Sequence, residues 1–196
     1  VKELLGKLPQ LVDKKQKEIV EYNEAVANDE YDKELTLTEA PDLESFTPRY
    51  WKVRDKAFGD LDKDGVDDAV FVYDTPMAGD MDGTLRVLGI FRKTDAGYKL
   101  WKQCSSIILD SNSGGVWGDP YDGVTINRGA IIVSHFGGSR DKWTYTSIYR
   151  YQDNDWFLIG SKNGAFAGGD YAIVSDYNLS TGKINYSSEK WNVMDE

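Results

Sequence analysis

The sequence predicts a mainly β protein with an N-terminal helical segment, in which two antiparallel blade-like β-units share one core. Three observations carry this reading. Apolar residues before position 30 recur at helical spacing. From Phe46 onward, about nine short runs alternate apolar and polar residues between Gly, Asp and Asn clusters. One of those runs occurs twice. At 196 residues, 40% hydrophobic and 13% aromatic, the chain can bury one good core.

The helical segment comes first. Leu4, Leu8, Leu11, Val12, Ile19, Tyr22 and Val26 form an apolar stripe with Lys and Glu between them. Pro9 suits a first helical turn, so the spacing predicts a main helix from near Pro9 to about Asn28 and Asp29, as one bent helix or the longer of two. We expect the stripe to pack on the sheet; a partner-binding or anchoring helix is the alternative. Residues 30–45 read as an acidic linker, so the helical segment and linker span 1–45 and the β domain spans 46–196.

In the β domain, Asp95-Ala96-Gly97, Asn127-Arg128-Gly129 and Asp153-Asn154-Asp155 mark turns between strands. No stretch between strands is long enough for a crossover helix, so the strands should pair antiparallel and largely in sequence order. GIFRKTDAGYKLW (Gly89 to Trp101) aligns without gaps on SIYRYQDNDWFLI (Ser147 to Ile159), 58 positions later, pairing Ile90 with Ile148, Phe91 with Tyr149 and Asp95 with Asp153. Upstream, AVFVY (Ala69 to Tyr73) matches AIIVS (Ala130 to Ser134). Two blades cannot close a propeller, so the expectation is two small sheets over one core, propeller-like or sandwich-like.

The most specific chemistry lies in GDLDKDGVDDAVFVYD, Gly59 to Asp74. Counting Asp60 as the first position, carboxylates fall at the third (Asp62), fifth (Asp64) and ninth (Asp68), with Gly65 at the sixth and the Val66 carbonyl at the seventh. A hard cation needs that density of oxygen ligands. The twelfth position, where a helix–loop–helix site needs a bidentate Glu, is Phe71, and the residues after the loop are strand formers. The spacing therefore predicts one Ca²⁺ held by Asp60, Asp62, Asp64, the Val66 carbonyl and Asp68, with Asp67 turned to solvent.

This loop and its strand resemble the FG-GAP calcium repeat of integrin-like β-propellers. More of the chain is similar to small exported bacterial proteins of the FG-GAP/VCBS repeat type. The segments carrying that likeness are Phe46 to Asp68, Gly114 to Ile126, the strand pair DKWTYTSIYRYQDNDWFLIG, and SDYNLSTGK from Ser175 to Lys183. The resemblance implies a fold and a calcium ion and no settled activity.

A formal charge of −10 disfavours nucleic acid and anionic membranes as partners, and no Lys/Arg run offsets it. No apolar run reaches the length of a membrane-spanning helix. We expect a monomer with a glycan or protein ligand. Weak Asp-rich sites fill where calcium is millimolar, so the expected location is periplasmic or at the cell surface. The chain opens on Val1, and we expect that an upstream segment, such as a lipoprotein signal, has been removed. Cys104 stands alone and reads as a small buried residue beside Ile107 and Ile108.

His135 is the only histidine and reads as a structural one near a strand end. The sequence has no GxSxG, HExxH or CxxC, and the expected function is non-catalytic binding. The alternative is a carbohydrate-active hydrolase using the loop carboxylates Asp80, Asp82, Asp119 and Asp122. In the loop GGVWGDPYDG, Trp117 and Tyr121 could stack on a sugar face while Asp119 and Asp122 accept hydroxyl hydrogen bonds. Trp143, Tyr145, Tyr149 and Tyr151 share one strand face, which we read as core-facing, with Tyr151 the exception.

Overall fold

The structure, a computed structural model, describes residues 2–167 and 171–190. Among the described residues there is one α-helix, α1 (Lys2–Ala27), followed by β1 (Glu39–Ala40), a single 3-10 turn (Glu44–Phe46), β2 (Lys52–Gly59), β3 (Asp68–Ala78), β4 (Thr84–Thr94) and β5 (Gly97–Cys104). After these come β6 (Tyr121–Asn127), β7 (Ala130–Gly138), β8 (Asp141–Gln152), β9 (Asp155–Ala167), β10 (Tyr171–Asn178) and β11 (Lys183–Lys190). The strands form two open antiparallel sheets. The first has order β1-β5-β4-β3-β2 and the second β11-β10-β9-β8-β7-β6. Apart from β1, neighbours in the sheet are neighbours in sequence, as short turn-rich connections dictate.

The predicted turns occur where Gly, Asn and Asp cluster. Arg128 and Gly129 join β6 to β7 with φ of 50° and 69°, and Asp153 and Asn154 join β8 to β9 with φ of 50° and 62°. Two successive left-handed residues are the signature of a two-residue hairpin whose twist matches its strands. β-Bulges fall between Ile90 and Phe91 in the β4–β5 pair and between Ile148 and Tyr149 in the β8–β9 pair.

β3 is buried on both faces. Val70 and Val72 point toward the second sheet, where with Leu88 and Ile90 they meet Val124, Ile131 and Val133 in a shared core. Ala69, Phe71 and Tyr73 point the other way, into a core completed by Val87, Phe91 and the chain before β2. Strict period-two alternation of large apolar residues therefore fills two layers at once.

The chain before β2 is not a linker. Leu35, Ala40, Leu43, Phe46 and Trp51 are buried on the outer face of the first sheet. Polar ties hold the segment down: Leu35 N–H donates to Gln103 Oε1 at 2.7 Å, Gln103 Nε2 returns a bond to the Leu35 carbonyl at 3.0 Å, and Trp51 Nε1 donates to the Asp32 carbonyl at 2.9 Å.

That cover explains why α1 departs from expectation. The outer face of the sheet is already occupied, and among the described side chains of α1 those of the last turns dock: Ala25 is buried, Tyr22 lies edge-on to Tyr50, and Arg49 pairs with Glu21 at 2.9 Å. Val12, Ile19 and Val20 are 58%, 44% and 45% exposed, while the side chains of Leu4, Leu8 and Leu11 lie outside the described residues. The helix is continuous through Pro9, strong helix formers on either side outweighing one lost backbone bond. It ends as predicted, with Asp29 at φ 59°, Glu30 N–H bonded to the Ala25 carbonyl and Asp29 N–H to that of Val26.

Candidate metal site and the polar end of the core

The Asp-rich loop connects β2 to β3 and is anchored at both ends. Leu61 is 1% exposed and sits in the shared core, and Asp68, the first residue of β3, is also 1% exposed. Between them the chain folds over its own carboxylates. Asp60 accepts from Lys63 N–H at 2.6 Å, Asp64 N–H at 3.2 Å and Gly65 N–H at 3.0 Å; Asp62 accepts from Asp64 N–H and Asp64 from Val66 N–H. The tight path needs Gly65 at φ 88°.

As a result, Asp60, Asp62 and Asp68 each bring one carboxylate oxygen within 4.8 Å of the others, a cluster that could hold a metal ion. Asp64 is exposed and stands outside that group, and Asp67 faces solvent as expected. Asp68 also accepts from Leu61 N–H at 3.2 Å and Lys93 N–H at 2.9 Å. Burial nevertheless pushes its carboxyl above the ordinary carboxylate range, and the Asp62 and Asp64 charges push it further. A hard cation would relieve that repulsion, so the donor set fits one. A further charge sits at the rim: the Arg92 guanidinium contacts Asp62 directly while lying over the Trp101 ring, 5.4 Å from its centre.

The second predicted group, Trp117, Asp119, Tyr121 and Asp122, divides. Trp117 is 49% exposed, edge-on to Phe136 with the Lys142 ammonium over its ring, and Asp122 is exposed. Asp119 is committed elsewhere. Its two oxygens accept from Arg86 Nη1 at 2.7 Å and Nη2 at 2.6 Å, and Arg54 Nη2 adds a third bond at 2.6 Å. Tyr121 packs against the shared core and donates its hydroxyl to Asp55 at 2.9 Å. The Gly-rich loop itself is stitched to the end of β7 by bonds between Gly114 and Gly138 and from Val116 to Gly138; a Cβ on Gly114 would stand 2.2 Å from the Gly118 carbonyl oxygen. Gly114 and Gly115 serve close chain-to-chain packing, while Gly118 supplies a positive φ of 76°.

These contacts belong to a polar network at one end of the inter-sheet core. Arg86 is 1% exposed, the largest fully buried side chain among the described residues, and also donates from Nε to Asp74 at 2.8 Å. Burial works against its charge, but Asp119 and Asp74 outweigh that and hold the guanidinium firmly protonated. Burial likewise raises the Asp119 carboxyl, and the Arg86 bonds and charge outweigh it, leaving the group below its ordinary range. No motif in the sequence singles out Arg54, Asp55, Asp74 or Arg86. One signal was present: in TLRVLGIF, Arg86 occupies the same face as Leu88 and Ile90, a charged residue in a core register.

His135 is 1% exposed and its Nε2 accepts from Leu109 N–H at 3.2 Å. Burial and then the Arg86 charge lower its pKa to about 4, so it is neutral at pH 7. Cys104 is half-buried with its sulfur 3.3 Å from Ser106 Oγ, less enclosed than the sequence suggests, because Ile107 and Ile108 turn inward in its place. Tyr151 is no exception to its stripe: it packs on Trp101 and Trp156, at 4.5 and 5.6 Å between ring centres. Asp80 and Asp82 are exposed, and their loop is held by Asp110, which accepts from Met81 N–H at 2.8 Å.

No protein-family model, curated protein or solved structure matches this chain.

Proposed function

We propose that this chain is an exported, calcium-binding, non-catalytic β protein that works as a surface or periplasmic binding module of the FG-GAP/VCBS kind. The observation that carries this reading is the convergence of Asp60 and Asp62 on the buried Asp68, within 4.8 Å, at the entry to a core strand. The ion would be held by those three carboxylates, joined by Asp64 and the Val66 carbonyl, and would supply the positive charge that a buried carboxylate otherwise lacks. A site that couples a loop to the first residue of β3 stabilises a surface without performing chemistry on it. Two blade-like units are supported by the bulges at Ile90/Phe91 and Ile148/Tyr149, which fall 58 positions apart, at the positions that the repeated sequence aligns.

Isothermal titration of chelator-stripped protein tests the metal, and no heat at millimolar calcium would falsify it. For the ligand surface, the exposed pair Trp117 and Asp122 is the place to probe, since changing Asp119 would disturb the core. A glycan and peptide array on wild type against Trp117→Ala with Asp122→Ala, run beside product-release assays, separates the outcomes. Binding lost without turnover supports the module, and turnover favours the hydrolase.

A further inference from the structure

The second sheet is wider than the first, and part of its core-side face runs on uncovered. Cross-strand register puts Tyr145, Asn163, Ser175 and Tyr186 in one row across β8 to β11, on the face that carries Val133 and Ile131 into the shared core. Ile173 and Ile184 belong to adjacent rows of that same face. Beyond β9 nothing among the described residues encloses it: Tyr186 is 73% exposed, Ile173 66% and Ile184 45%. β11 is also the last strand of its sheet, so one row of its backbone N–H and C=O groups is left without a neighbouring strand among the described residues.

Exposed edges are usually guarded by charge. β11 carries charged residues only at its ends, Lys183, Glu189 and Lys190, with the uncharged run Ile184 to Ser188 between them. We propose that this edge pairs with β11 of a second copy of the chain, antiparallel about a two-fold axis at Tyr186. The charge pattern argues for that occupant and selects the register. With Tyr186 opposite Tyr186, position 183 falls opposite position 189, so Lys faces Glu on both sides of the axis. Moving the axis to between Tyr186 and Ser187 would set Lys183 against Lys190 instead. Pairing about Tyr186 joins the second sheets of both copies into one, with the two first sheets flanking a trough lined by Ile173, Ile184 and Tyr186 from each.

Sedimentation velocity of the full chain over a micromolar concentration series tests this, with thermal melts as the check on folding. The wild type is expected to dimerise, Lys183→Glu to weaken the dimer about tenfold by creating two like-charge pairs, and Lys183→Glu with Glu189→Lys to restore it. An independent variant, Tyr186→Cys in a Cys104→Ser background, should form a disulfide-linked dimer on mild oxidation, because opposed strand residues lie within disulfide reach. A wild type that stays monomeric throughout overturns the proposal. So does a dimer indifferent to Lys183→Glu, or a Tyr186→Cys chain that does not cross-link.

Discussion

Arg86 grips Asp119 with two parallel hydrogen bonds, Nη1 at 2.7 Å and Nη2 at 2.6 Å, and the pair joins a strand of one sheet to the loop that opens the other. Asp74, from the neighbouring strand, holds the same guanidinium through Nε. The cation is thus matched on both sides, and its burial is tolerable only while both carboxylates stay.

Asp119→Ala should therefore destabilise the protein by about 3 kcal/mol, since it leaves a buried guanidinium with Asp74 as its remaining carboxylate and its Nη2 without that bond. Urea unfolding measures this. A loss no larger than that of a typical surface substitution would show that Asp74 and solvent suffice for Arg86.

Calcium should raise the melting temperature only modestly. For a weak extracellular-type site, with Kd on the order of 10⁻⁴ to 10⁻³ M, roughly 1 mM calcium contributes about 0.4 to 1.4 kcal/mol. Asp60→Ala should abolish that increment and Asp64→Ala should reduce it, because Asp60 stands in the converging group and Asp64 outside it. Scanning calorimetry with and without chelator gives the comparison. Equal losses in the two variants would place Asp64 among the primary ligands, and complete unfolding on chelation would show a far larger role for the ion.

Arg92 competes with any cation for Asp62. Arg92→Gln is expected to tighten calcium binding several-fold, by removing a positive charge from the rim and freeing a carboxylate oxygen. Titration calorimetry on the two proteins reads the ratio directly; weaker binding in the variant would mean that Arg92 instead positions Asp62 for the ion.

Acid sensitivity should begin at His135. Its folded pKa of about 4 lies below the ordinary 6.5, so the unfolded chain binds a proton more readily than the folded one between those values. Stability then falls as pH drops through that window, by about 3 kcal/mol in all. Asp119 adds a second loss further down: its carboxyl is depressed on folding, so its contribution is present above the ordinary carboxylate range and disappears as pH falls through the folded value. Denaturant unfolding of His135→Gln from pH 7 to 4 should give a flatter profile than wild type, and parallel profiles would remove His135 as the cause.

Local chemistry was the legible part of this sequence. The Asp spacing located a loop whose carboxylates converge, and Asn127-Arg128-Gly129 and Asp153-Asn154-Asp155 became tight turns because φ-positive residues leave few other options. What could not be read was which surface each segment would meet. Residues 30–45 look like a polar linker because only Leu35, Ala40 and Leu43 of them turn inward, and three inward side chains give no period. The same concealed cover displaced α1 from the sheet. Asp119 looked like a ligand group because the sequence around it is a turn; its partner Arg86 lies 33 positions away, a separation over which pattern reasoning has no reach.

β3 fills both layers of the molecule, with Val70 and Val72 on one side and Phe71 and Tyr73 on the other. A slip of its register by one residue would exchange the contents of both layers together, so both cores depend on the placement of this one strand. The amides of its regularly paired part, Ala69 to Asp74, are expected to exchange with solvent only on global unfolding. They should be the slowest in the chain to take up deuterium, on the timescale of global unfolding, while those of α1 before Tyr22 exchange early.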